Sequence, residues 1–285
     1  MRLVRVLVVV SGGAGVLAVI AALFSAWQVS LQCGSVALAT LVGYVLVAGR
    51  AAHPRVRWAI AAGVGLLAAV LAMRLFWFRE PSGGLVVDDV LSASIDERGA
   101  PWRRGVDQER IAAVGQLLGV LCLAAGVLGL PRRRWPKRGV LTTVLAVLLL
   151  VVVGADVAGR VDGGAVLDLL GIVWPALLAT LVAVAVLALA GRRGDRGWLL
   201  PGGALLVAVA QAIAFSNLMG TASAWLVFSD FDGVASVATG LTVAVGGSPD
   251  ASAAVEVAVA LAGPVLLAIG ALRAARESRP VEPVA

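Results

Sequence analysis

Long apolar runs separated by short polar connections repeat along nearly the whole chain, and each run is about as long as a bilayer is thick. A hydrocarbon core of about 30 Å takes roughly 20 helical residues. By that measure the runs predict eight membrane-spanning helices, over residues 4–27, 34–49, 58–78, 111–130, 139–159, 164–190, 198–217 and 252–272. The expected fold class is all-α, a polytopic membrane bundle. With 60 % apolar and only 14 % charged residues, the 285-residue chain has no room for a soluble domain of ordinary size. The first run follows Arg2 and Arg5, as a signal peptide would. It is long for one and seven further spans follow, so it reads as a retained first helix.

Charge adds an orientation. The N-terminus, the even-numbered connections and the C-terminal tail hold 16 of the 23 basic residues against three acidic ones, Asp195, Glu277 and Glu282. Positive residues stay on the cytoplasmic side during insertion, which predicts both termini inside and an even number of spans. The net charge of +6 is then topogenic. It calls for anionic lipid headgroups rather than a nucleic-acid partner. Lys137 is the sole lysine, a bias that fits a GC-rich bacterial genome, and the expected location is the bacterial cytoplasmic (inner) membrane.

Two outward connections are long, 79–110 and 218–251. The first is polar and rich in turn residues. The second contains Ala224–Phe228 and Val234–Val245, apolar enough to form an interfacial or re-entrant element. The layout of short outer loop, basic inner loop and long outer loop occurs twice, and residues recur with it. Leu38–Val42 returns as Leu178–Val182, and Trp58 as Trp198, each 140 residues on. Gly119, Leu123, Ala124, Gly126 and Leu128 return as Gly263, Leu267, Ala268, Gly270 and Leu272. Helices one and five align poorly. The pattern predicts a tandem 4+4 parallel repeat, with units 1–130 and 131–285 related by an axis along the membrane normal.

Ionisable groups inside a span are costly and are functional candidates by default. At about 1.5 Å per residue, Arg74, Gln116 and Glu256 fall roughly 24 Å from the basic edge and Gln211 roughly 20 Å. These four form the candidate polar ligand or ion site. The competing reading is structural, with Arg74 snorkelling to the interface or pairing with Glu256. Asp88, Asp89, Asp96 and Glu97, and the pair Asp230 and Asp232, read as solvated or turn carboxylates. The dense glycines read as helix-packing positions, and Pro175 and Pro264 as kinks.

Much chemistry is excluded. His53 is the only histidine, which removes bis-histidine haem and histidine-rich metal centres. Cys33 and Cys122 lie at different depths and form no Cys-x-x-Cys pair, which argues against thiol redox work. There is no G-x-S-x-G and no P-loop lysine. No catalytic residue, cofactor or metal is expected. The first expectation for function is a non-catalytic accessory or scaffold protein of the cell envelope, partnered by the lipid bilayer and by a membrane or extracytoplasmic protein. The alternatives are a small transporter or permease component with an outward-facing polar site, and a lipid-headgroup enzyme at the outer face.

Overall fold

In hydrocarbon every backbone N–H and C=O must be satisfied within the chain, and a helix does this segment by segment. The computed structural model, which describes residues 2–79, 95–130, 136–160, 166–193, 197–230 and 251–277, is built that way. Its helices are α1 (Arg2–Leu23), α2 (Trp27–Ala48), α3 (Pro54–Arg79), α4 (Ile95–Leu128), α5 (Pro136–Arg160), α6 (Val166–Ala190), α7 (Leu199–Asp230) and α8 (Ala251–Glu277). A 3-10 turn, Gly49–Ala51, joins α2 to α3. Each of the eight contains 21 to 26 residues long and apolar enough to cross a membrane. The protein is an all-α integral membrane protein.

The first helix ends at Leu23 rather than residue 27, and three others run well past the limits their apolar runs suggest, each for the same reason. The second span begins at Trp27 rather than residue 34, after a tight turn in which Ser25 takes a left-handed φ of 56°. Polar Ser30 and Gln32 resemble a connection, yet the Ser30 N–H already donates to Ala26 O at 2.9 Å and Ser30 is buried. The fourth helix begins at Ile95, so residues 95–110 of the expected outer loop are helical. The seventh runs on to Asp230 and absorbs Ala224–Phe228, which is therefore no separate interfacial piece. Apolarity ends where the bilayer does, but a helix continues as long as its backbone bonds do. Val234–Val245, like residues 80–94, lies outside the described residues.

One apolar core draws side chains from all eight helices, among them Ala18, Leu41, Ile60, Leu123, Ala146, Leu187, Ala208 and Leu267. A second cluster gathers Ala113, Val153, Val173, Phe215 and Met219 toward the opposite end. Helices α1 and α5 are the least buried, with Val9, Val16, Val144 and Val151 turned outward. These are lipid-facing positions, where sequence is free to drift among apolar types.

Helices approach one another closely at glycines, and these positions recur. Between α3 and α4, a Cβ on Gly63 would lie 2.7 Å from Leu123 Cγ. One on Gly119 would lie 3.1 Å from Leu67 Cδ2, and one on Gly126 would lie 2.7 Å from Ile60 Cδ1. Between α7 and α8, a Cβ on Gly203 would collide with the backbone of Leu267. One on Gly263 would lie 2.8 Å from Val207 N, and one on Gly270 2.5 Å from Leu200 N. Gly63, Leu67 and Ile60 correspond to Gly203, Val207 and Leu200 by a constant step of 140, and Leu123, Gly119 and Gly126 to Leu267, Gly263 and Gly270 by 144. Both hairpins are notched in the same register.

Filling a notch forces the backbones apart. Gly203→Ala and Gly63→Ala should each destabilise the fold by about 1–3 kcal/mol, the usual cost of overpacking. Gly154→Ala, where a Cβ would meet nothing within 4 Å, should leave stability unchanged or slightly raised. Thermal unfolding in detergent measures all three.

Candidate functional site

The two ends of the bundle use their polar groups differently. At one end, the C-termini of α2, α4, α6 and α8 meet the N-termini of α3, α5 and α7, and arginines cap the exposed carbonyls. Arg276 donates to Ala48 O at the end of α2, and Arg193 to Leu128 O and Leu130 O at the end of α4. Helix C-termini carry unsatisfied carbonyls and partial negative charge, so a guanidinium there answers both. Arg138 donates to Gly197 O at 3.1 Å and lies over the Trp198 ring at 5.0 Å, while Arg57 lies over Trp58 at 5.6 Å. We call this the basic end.

At the far end, polar side chains tie neighbouring helices together. Arg74 on α3 pairs with Glu109 on α4 at 2.5 Å. Asn217 on α7 donates to Glu256 on α8 at 3.3 Å. Arg160 on α5 pairs with Asp156 at 2.9 Å, and bonds Ser216 O and Ser216 Oγ on α7 at 3.1 and 2.9 Å. Each of the two notched hairpins thus carries a polar cross-tie near its far end.

Between the ends lies a thin polar level. Thr180 on α6 is fully buried, and its hydroxyl contacts Ala176 O and Gln211 O at 2.9 and 3.1 Å. Gln211 is 6 % exposed. On α6, Thr180 separates Ala176 of the second apolar cluster from Ala183 of the first. On α7, Gln211 separates Phe215 from Ala208, and on α4 Gln116 separates Ala113 from Val120 in the same way.

The four candidate residues therefore enter different arrangements. Gln116 and Gln211 belong to the level between the clusters. Arg74 is engaged by Glu109 and Glu256 by Asn217, so the expected alternative of an Arg74–Glu256 pair is corrected. The pairing follows from the length of α4, which carries Glu109 on a helix beside Arg74 instead of in a loop. An apolar groove lies between α1, α2 and α8, and a smaller one beside Val140, Val144 and Arg192; none of the four residues lines either. Among the described residues, no group of three or more His, Cys, Asp or Glu side chains is placed to hold a metal. Cys33 and Cys122 are both free thiols, and His53 is exposed, its Nδ1 accepting from the Arg55 N–H at 3.3 Å. Asp88, Asp89 and Asp232 lie outside the described residues, as do the side chains of Asp96, Glu97, Asp168 and Asp230.

Residue-by-residue reading missed Glu109, Asn217, Ser216 and Thr180. Their signal was present in Asp107–Arg110 and Ser216–Asn217, short polar groups continuing the helical face of an apolar span. No family model, no curated protein and no solved structure matches the chain.

A double-mutant cycle checks the pairing. Arg74→Gln with Glu109→Gln should show a coupling of about 1 kcal/mol, in the range of polar contacts in membrane bundles. Arg74→Gln with Glu256→Gln should be additive within about 0.5 kcal/mol, as for independent sites. Detergent unfolding free energies supply both.

Proposed function

We propose that the chain is a non-catalytic accessory or scaffold protein of the bacterial cytoplasmic membrane, with both termini in the cytoplasm. The observation that carries this reading is the use of the charged groups. At the far end, among the described residues, they join helix to helix in Arg74–Glu109, Asn217–Glu256 and Arg160–Ser216 instead of lining either groove. Ties of this kind hold a shape, and a held shape suits a surface that another protein recognises. The gathering of arginines at the basic end supports the cytoplasmic assignment of that end. We further propose that residues 1–130 and 131–285 are duplicated four-helix units. The matched glycine notches of α3/α4 and α7/α8, and the peripheral positions of α1 and α5, support this.

A second reading, a small transporter, draws on one observation. The level of Gln116, Thr180 and Gln211 sits between helices of both proposed units, where a substrate path would run. Complementation of a gene deletion separates the two. On the scaffold reading, Arg74→Gln and Gln211→Leu variants restore the phenotype in proportion to their amount in the membrane. A variant present at wild-type level that fails to restore it makes the polar residues functional, and the transporter reading takes over.

A further inference from the structure

The groove between α1, α2 and α8 has a volume of about 520 Å³ and walls that are almost wholly apolar. Its hydroxyl at Ser11 is already committed, donating to Ala37 O at 2.9 Å. Glycine keeps it open: at Gly12 and Gly15, which line the α1 wall, an added Cβ would meet nothing within 4 Å. The groove also marks an asymmetry. Helices α4 and α6 pack closely along their seam, whereas the corresponding pair α8 and α2 stands apart, with α1 leaning across the gap. Between helices long and apolar enough to span a bilayer, an opening of this kind faces lipid.

The groove's basic end bears charge. Arg273 lies on the groove face of α8, about 6 Å beyond Ile269, and Arg5 lies on the groove face of α1, about 4.5 Å beyond Val8. Both are exposed. Tyr44, the one aromatic residue of the lining, stands at the same end, about 6 Å from the end of α2. An apolar trough that ends in two guanidinium groups and a phenol matches an amphiphile with a hydrocarbon tail and an anionic head.

We propose that this groove seats an acyl chain of an anionic phospholipid, with its phosphate held by Arg5 and Arg273. The lipid fills the open seam between α2 and α8 and so completes the bundle where the chain alone does not. This proposal stands apart from the scaffold reading, since it concerns only what the groove holds, whatever the protein's role.

The test uses the full chain in nanodiscs and by native mass spectrometry from mild detergent, with phosphatidylglycerol and phosphatidylcholine as probes. The wild type should retain phosphatidylglycerol in preference to phosphatidylcholine and unfold at a higher temperature in the anionic bilayer. Arg5→Gln with Arg273→Gln should keep a bound lipid but lose roughly ten- to thirtyfold of the anionic preference, at about 1 kcal/mol for each basic residue near the surface. Gly12→Leu with Gly15→Leu, which fill the trough, should bind neither lipid. Should that pair fail to reach the membrane, Val16→Phe fills the same space from a side chain that is 61 % exposed and lines the groove. Equal retention of both lipids by the wild type would overturn the proposal, as would undiminished binding in the filled variants. A dimer whose formation depends on Gly12 and Gly15 would give the groove to a second copy of the chain and overturn it equally.

Discussion

Close helix approach at six glycine positions is the contact on which the rest of this bundle depends. Helices in lipid gain little from burying apolar side chains against each other, because the surrounding tails are as apolar as leucine. They gain from close approach, and close approach needs small residues. The α3/α4 hairpin closes at Gly63, Gly119 and Gly126, and the α7/α8 hairpin at Gly203, Gly263 and Gly270. Around these hairpins α2 and α6 complete the inner packing, and α1 and α5 stand at the lipid. Thr142, Thr143 and Thr180 return their hydroxyls to helix carbonyls, so these side chains make no polar demand on lipid.

The remaining charges follow from that constraint. A guanidinium near the membrane boundary is tolerable only beside a partner or water. Arg74 and Arg160 find carboxylates on adjacent turns or helices, and Arg193 and Arg276 find helix-end carbonyls. Arg193 and Arg276, which belong to the basic segments that set charge asymmetry along the chain, thus also stitch the helix ends. In these four arginines the charge serves the fold.

The eight spans were legible from the sequence because bilayer thickness imposes a length that composition reveals directly. Helix limits were less so. Trp27–Cys33 and Ile95–Arg110 contain polar residues that resemble connections, yet a helix tolerates polar residues wherever they point to water or to a buried partner. Glu109 was lost to the candidate site for that reason alone: placed in a loop, it had no reason to meet Arg74. The glycines were recognisable as packing positions, but which faces which is set by antiparallel register, a property of two helices at once. The groove beside α1 was not legible at all. It arises from the space left between three helices, and no single residue announces it.

Disulfide cross-linking in native membranes shows whether the two hairpins close in matching register. In a background free of Cys33 and Cys122, one variant carries Leu67→Cys with Gly119→Cys and a second carries Val207→Cys with Gly263→Cys. Matching register predicts that mild oxidation joins both pairs to a similar extent, while pairs displaced by two residues stay reduced. Cross-linking in one hairpin only, or preferentially at a displaced pair, would contradict the matching register of the two hairpins and the packing built upon it.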